Sequence, residues 1–174
     1  VDYWTLWWSQ LLRIDSKRMD RDGAAAFHAW IARQLEERKP VDVIVEQMLT
    51  AEGDSHRIGP ANFHRAAAGA REQAEFVSEA LLGVRLRCAN CHNHPLDKWT
   101  QDDYHGLAAL FARSERGRAV RIAARGEVTH PKTGMPAVPR LPGERFLERD
   151  GDNRDQLARW ITSSENPYFA RSLV

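Results

Sequence analysis

The chain's two cysteines stand three residues apart in Cys88-Ala89-Asn90-Cys91-His92, inside the run RLRCANCHNHPLDKW. Several chemistries use such a pair. Two thiols with two residues between them can add across the vinyl groups of one haem, and the histidine that comes next then offers its imidazole to the iron from the proximal side. The same thiols can supply half of a tetrahedral Cys2His2 zinc site, completed by His92 or His94 with His130. Against zinc, the interval from Cys91 to His130 is not that of a compact finger. The thiols can also close a small disulfide in an exported protein, which would leave His92 incidental. A redox dithiol of the thioredoxin kind belongs in a βαβ pattern, and the flanking sequence has helical spacing instead. The adjoining histidine places haem first and zinc second.

With His92 as proximal ligand, the opposite face of the iron falls to another histidine or a methionine, and the choice sets the potential. His94 lies two residues from His92 on a chain already pinned to one haem face and can hardly reach the other. His130 is favoured, ahead of Met135 and His64: it precedes a proline in an irregular segment. Arg85 and Arg87 flank the cysteines, and their planar guanidinium groups suit haem propionates. Of six tryptophans, most are core residues, since large rings dominate burial. Trp99, a few residues past His92, is the one expected against the porphyrin or its propionates. Asp97, Asp102 and Asp103 read as turn and capping residues, and no nucleophile elbow, phosphate loop or paired-carboxylate signature occurs.

The elements that must position these groups are mostly helical. YWTLWWSQLLRI spaces its large apolar residues at three and four, as a helix burying a wide stripe requires, with Asp2 in the N-cap place. A second helix follows Asp22-Gly23 and carries Phe27, Trp30, Ile31 and Leu35 on one face; a third starts at Pro40 and runs through Leu49. Residues 53–60 read as a loop. A fourth helix over 72–86 leads straight into the cysteine motif. Thr100-Gln101-Asp102-Asp103 resembles a capping box for a fifth helix reaching about Arg113. The next stretch alternates briefly, turns at Arg125-Gly126, and then carries four prolines that exclude regular helix. Helical spacing returns through Leu157, Trp160 and Ile161 and breaks at Asn166-Pro167.

The net charge of +1, from 25 basic and 24 acidic residues without long blocks of either sign, argues against a nucleic-acid partner. No apolar run approaches the ~20 residues of a membrane span. The first residue is Val1, without a basic or apolar leader, as expected of a processed chain or a piece of a longer one.

The run LLGVRLRCANCHNHPLDKWTQDDYHGLAALFA resembles the second conserved domain of the large planctomycete-type cytochrome c proteins, and the likeness extends to YWTLWWSQLLR, ANFHRAA and GEVTHPKTGMPAVPR. The place of His130 in THPKTG fits that pattern. His64 and His105 stand where aromatic residues such as tyrosine are more usual. The closing NRDQLARWITSSENPYFARSLV is similar to the start of the domain that comes next in those proteins. The resemblance implies one covalent haem c and an exported location, in the periplasm, cell envelope or extracellular space.

The expectation is therefore a mainly α-helical haem c domain over 1–150, with a small β-hairpin and Pro-rich irregular insertion, followed by a C-terminal helical segment over 151–174. Cys88, Cys91, His92, Arg85 and Trp99 would bind the cofactor, with His92 and His130 on the iron. The activity would be one-electron transfer with a redox partner protein, as a carrier or as the relay part of a larger redox enzyme, within a longer chain or a homo-oligomer. The alternative is a structural zinc or cell-surface interaction module.

Overall fold

The computed structural model describes residues 1–149 and 151–172. The fold is mainly α, with eight α-helices and one small three-stranded sheet among the described residues. The chain forms two compact units, Val1–Ala68 with Glu115–Ile122, and Gly69–Ser114 with the chain from Ala123 onward.

In the first unit, α1 (Asp2–Leu11), α2 (Ser16–Glu36), α3 (Val41–Thr50) and α4 (Asn62–Arg65) enclose Leu12, Met19, Phe27, Ile31, Ile44, Val45, Met48, Leu49 and Phe63. Phe27, Trp30, Ile31 and Gln34 are buried at the spacing of one helix face. The expected wide stripe of α1 is not all buried: Thr5, Trp8 and Leu12 face inward, whereas Tyr3, Trp4 and Leu6 are 71%, 55% and 58% exposed. The large residues go almost all the way round this helix, and one side of it meets the core. Asp2 is also not the cap. It is the first helical residue, after Val1, where a carboxylate favours the positive end of the helix dipole without a capping bond.

Asp15 caps α2, accepting hydrogen bonds from the Lys17 and Arg18 amides at 2.8 and 3.1 Å. The helix is interrupted at Met19 and Asp20, and Asp20 takes φ 58° and ψ 173°, a region that costs a non-glycine residue about 1–3 kcal/mol. Its carboxylate compensates by gathering distant groups. It accepts from the Gly23 amide at 2.8 Å, from His56 Nε2 at 3.0 Å and from Arg65 Nη2 at 2.8 Å. Arg65 continues to Ser55 Oγ and Asn62 Oδ1. The Gly23 amide, then Arg65 and His56, hold the Asp20 carboxyl well below the usual carboxylate range. A depressed carboxyl contributes stability that is present above its ordinary pKa of 3.8 and is lost as the pH falls below it. The Asp20→Asn variant will therefore unfold at lower urea than the native chain at pH 7, and the gap will narrow as the pH drops below 3.8. A gap that stays constant through acid titration would show that the charge is not what stabilises.

The sheet comprises β1 (Gly53–Asp54), β2 (Ser114–Arg116) and β3 (Ala119–Ile122) in the order β1-β3-β2, with Gly53 opposite Val120 and Asp54 opposite Ala119 in antiparallel register. The hairpin turns at Gly117-Arg118, not at Arg125-Gly126. A long-range pairing sets it: Arg118 donates to both Asp54 carboxylate oxygens at 3.2 and 3.1 Å, and its carbonyl accepts from the Ser55 amide. Local alternation carries no trace of that partner.

In the second unit, α5 (Ala70–Leu82) ends at Gly83, whose φ of 64° is the left-handed C-cap conformation that glycine adopts freely. The helix thus stops short of the expected Leu86, and a separate 3-10 turn, Leu86–Asn90, carries the first cysteine. In α6 (Gln101–Ala109) the capping box forms as expected: Thr100 Oγ1 accepts from the Asp103 amide, and Asp103 Oδ2 accepts from the Thr100 amide at 2.8 Å. The helix ends at Ala109, short of Arg113, and continues as turns. The final helices are α7 (Arg154–Thr162) and α8 (Phe169–Ser172), separated by the expected break, where Asn166 accepts from the Tyr168 amide. Phe76, Val77, Leu81, Trp99, Tyr104, Leu107, Phe111, Leu157 and Ile161 form the core of this unit. The Pro-rich segment is irregular, as expected, and lies directly on α6. The Arg140 amide donates to the Gly106 carbonyl at 3.1 Å, and a Cβ at Gly106 would stand 2.4 Å from Arg140 Cβ.

Candidate haem-attachment site

Cys88 and Cys91 are free, exposed thiols at the end of the 3-10 turn. Beyond them the chain runs as a loop without regular structure as far as α6. His92 is exposed, and its Nδ1 lies 2.7 Å from the Asn93 carbonyl. A carbonyl can only accept, so Nδ1 carries a proton, and in the neutral ring Nε2 then keeps its lone pair. That is the tautomer in which an imidazole ligates a metal, with its other nitrogen oriented by a hydrogen-bond acceptor.

The motif is tied to α6 at two points. The Asn90 carbonyl accepts from His105 Nε2 at 3.0 Å and from Gln101 Nε2 at 3.3 Å, and Asn93 Oδ1 accepts from the Gln101 amide at 3.2 Å. Farther on, the His94 amide donates to the Trp99 carbonyl and His94 Nδ1 accepts from the Leu96 amide, closing the loop over 94–99. Leu96 itself is 93% exposed.

His105 is completely buried in α6, and burial pushes its pKa below the ordinary value, so it is held neutral. Its ring lies 4.9 Å from that of His130. His130 is also buried, and its Nδ1 accepts from the Lys132 amide at 3.2 Å, which places the proton on Nε2. Asp102 Oδ1 is 3.1 Å from that Nε2, close enough for an ion pair yet off the direction of a hydrogen bond, which leaves Nε2 without an aligned acceptor. His130 and Met135 share one tight turn, the His130 amide donating to the Met135 carbonyl at 2.8 Å. Both line a groove of ≈ 260 Å³ with Asp102, Val138, Phe146 and Arg149.

The remaining candidates lie apart from this groove. Trp99 is 1% exposed; its indole N–H donates to Asp97 Oδ2 at 2.8 Å, its ring packs on Tyr168, and the Lys98 ammonium lies 5.0 Å above it. Arg85 and Arg87 are exposed, and Arg87 makes a loose 4.0 Å pair with Glu75. Glu75 also accepts from the Tyr104 hydroxyl at 2.8 Å; burial, then this bond, raises the pKa of that tyrosine. His64 is buried in α4 of the first unit, with its ring against Phe63. No group of three or more His, Cys, Asp or Glu side chains among the described residues is arranged to hold a metal ion, so the zinc set of Cys88, Cys91, His94 and His130 is not gathered here.

Reading the sequence misses Asn90, Asn93, Gln101 and the part played by His105. Three of these groups act through backbone carbonyls or amides, which leave no residue-type signal. The place of Gln101 in the first turn of a capped helix directly after the motif is the one clue to them.

The chain has no match among curated proteins or solved structures. A family model, PSCyt2, described as a protein of unknown function (DUF1549), matches residues 1–116. The match takes in the cysteine motif and the whole of α6, and it covers two thirds of the chain, which therefore belongs to the PSCyt2 family.

Proposed function

We propose that the chain is a c-type cytochrome domain that carries one covalently attached haem and passes single electrons in an exported, cell-envelope setting. The observation that carries the reading is the setting of His92: beside two exposed free thiols stands an exposed imidazole whose Nδ1 lies 2.7 Å from a carbonyl, which leaves Nε2 the lone-pair nitrogen of the neutral ring. The family resemblance of the whole run from Leu81 to Ala112 supports the same reading.

Cys88 and Cys91 would hold the haem through thioethers, and His92 would ligate the iron. The bound group would supply a one-electron iron couple whose potential depends on the second axial ligand. His130 is the proposed second ligand. Its present hydrogen bonding sets a condition on that role: Nε2 must lose its proton to solvent or to Asp102, and Nδ1 must take up a proton and give up the Lys132 amide. Ligation by His130 thus goes together with a rearrangement of the 130–135 turn. Arg85 and Arg87, both exposed beside the cysteines, would pair with propionates. The partner would be a redox protein or another domain of a redox enzyme.

The test is to produce the full chain in a host with haem-attachment machinery in its periplasm. The purified protein is expected to be red, with one haem per chain and a Soret band that survives acid–acetone extraction. A colourless protein holding stoichiometric zinc would overturn the reading in favour of a structural zinc module.

A further inference from the structure

We propose that His105 is the positioning residue of the attachment site, its Nε2–H fixing the Cys88–Cys91 turn through the Asn90 carbonyl while its ring seats that of His130. The purpose of this device rests on the haem reading, but its geometry does not.

The cysteines sit on a five-residue 3-10 turn followed by irregular chain, a conformation with poor hydrogen bonds of its own and little stability in isolation. Its position must be imposed from outside. The Asn90 carbonyl, between the two cysteines, is the point of attachment, and the His105 bond is the shorter of the two it accepts, 3.0 Å against 3.3 Å. His105 projects from the middle of a capped helix and is wholly buried, so the anchor is rigid.

Its other nitrogen gives a second, independent indication. With Nε2 as donor, the neutral ring leaves a lone pair on Nδ1, and this buried atom has no hydrogen-bond partner among the described residues. Leucine or phenylalanine would fill the same space without burying an unpaired acceptor. What histidine adds at this position is the bond to Asn90. The contact with His130 at 4.9 Å extends the same anchor to the turn that carries the proposed second ligand.

The consequence is measurable without haem. Closing a disulfide between Cys88 and Cys91 fixes the sulfurs at about 2.05 Å, so its equilibrium constant depends on how the turn between them is held. The probe is glutathione: two thiolates lose two electrons and form one S–S bond, and one glutathione disulfide takes those electrons and two protons to give two thiols. In His105→Leu, which keeps the bulk, the equilibrium constant for disulfide closure is expected to change about two- to tenfold, the worth of one hydrogen bond. In His105→Gln, which keeps an N–H donor, it should stay near the native value. Equal constants in all three chains would overturn the proposal. Should His105→Leu not fold, the native chain decides alone, because ¹⁵N magnetic resonance must find a slowly exchanging Nε2 proton on His105, and a rapidly exchanging one would sink the idea. Altered constants in a chain that never takes up haem would retire the cytochrome reading and leave the positioning role intact. Once haem is loaded, His105→Leu should also shift the low-spin paramagnetic resonance signal and His105→Gln restore it.

Discussion

If the chain carries haem as proposed, the Cys88→Ala, Cys91→Ala double variant will lose it completely to acid–acetone, each single variant will retain it through one thioether, and His92→Ala will retain it through two. These three results separate attachment from ligation. The thiols are exposed and make no bond that the fold needs, so their removal leaves stability close to native. The imidazole would contribute differently: with Nδ1 held on the Asn93 carbonyl, Nε2 would be the nitrogen offered to the iron. His92→Ala should therefore keep a covalent Soret chromophore and lose its low-spin spectrum. Retention of haem by the double variant would mean that neither sulfur carries it. An unchanged low-spin spectrum in His92→Ala would remove His92 from the iron.

The second large effect is on stability. Trp99→Ala should destabilise the haem-free chain by about 3–5 kcal/mol, the usual cost of truncating a fully buried large aromatic. Trp99 is 1% exposed, its N–H is paired with Asp97, its ring packs on Tyr168, and its carbonyl closes the 94–99 loop. Truncation leaves a cavity and removes the indole donor from Asp97 Oδ2. Urea unfolding of the haem-free chain is the appropriate measurement, since it distinguishes a core residue from a wall of the cofactor. A loss under about 1 kcal/mol, with a much larger loss once haem is bound, would assign the ring to the porphyrin instead.

The parts of this molecule that are legible along the chain are those governed by spacing. Periodicity locates the faces of α2, α3, α5 and α7, and Thr100 with Asp103 announces its helix because a capping box is a local device. Local alternation sets the hairpin turn a few residues late because β3 pairs with Gly53-Asp54, more than sixty residues away, and the fork between Arg118 and Asp54 that fixes the register leaves no local pattern. Spacing overruns the end of α5 because Gly83 sits among good helix formers, and its left-handed conformation rather than its identity stops the helix. At the site, the five-residue motif with its adjoining histidine is legible as residue types. The protonation of His92 is not, since it depends on a backbone carbonyl, and neither is the anchor at His105, whose acceptor is a carbonyl fifteen residues earlier. The Asp20 staple escapes for the same reason: its partners come from three separate segments.

Gly106 has a consequence for how such a site can change over time. Because α6 and the Pro-rich segment approach closely there, with the Arg140 amide on the Gly106 carbonyl, part of the seat of that segment does not depend on the side chains it carries. Met135, which is 63% exposed, can therefore be exchanged without unseating the loop that presents it, whereas buried His130 is held in place by its contact with His105. A missing methyl group on a helix thus lets the backbone itself carry part of the mounting of this loop.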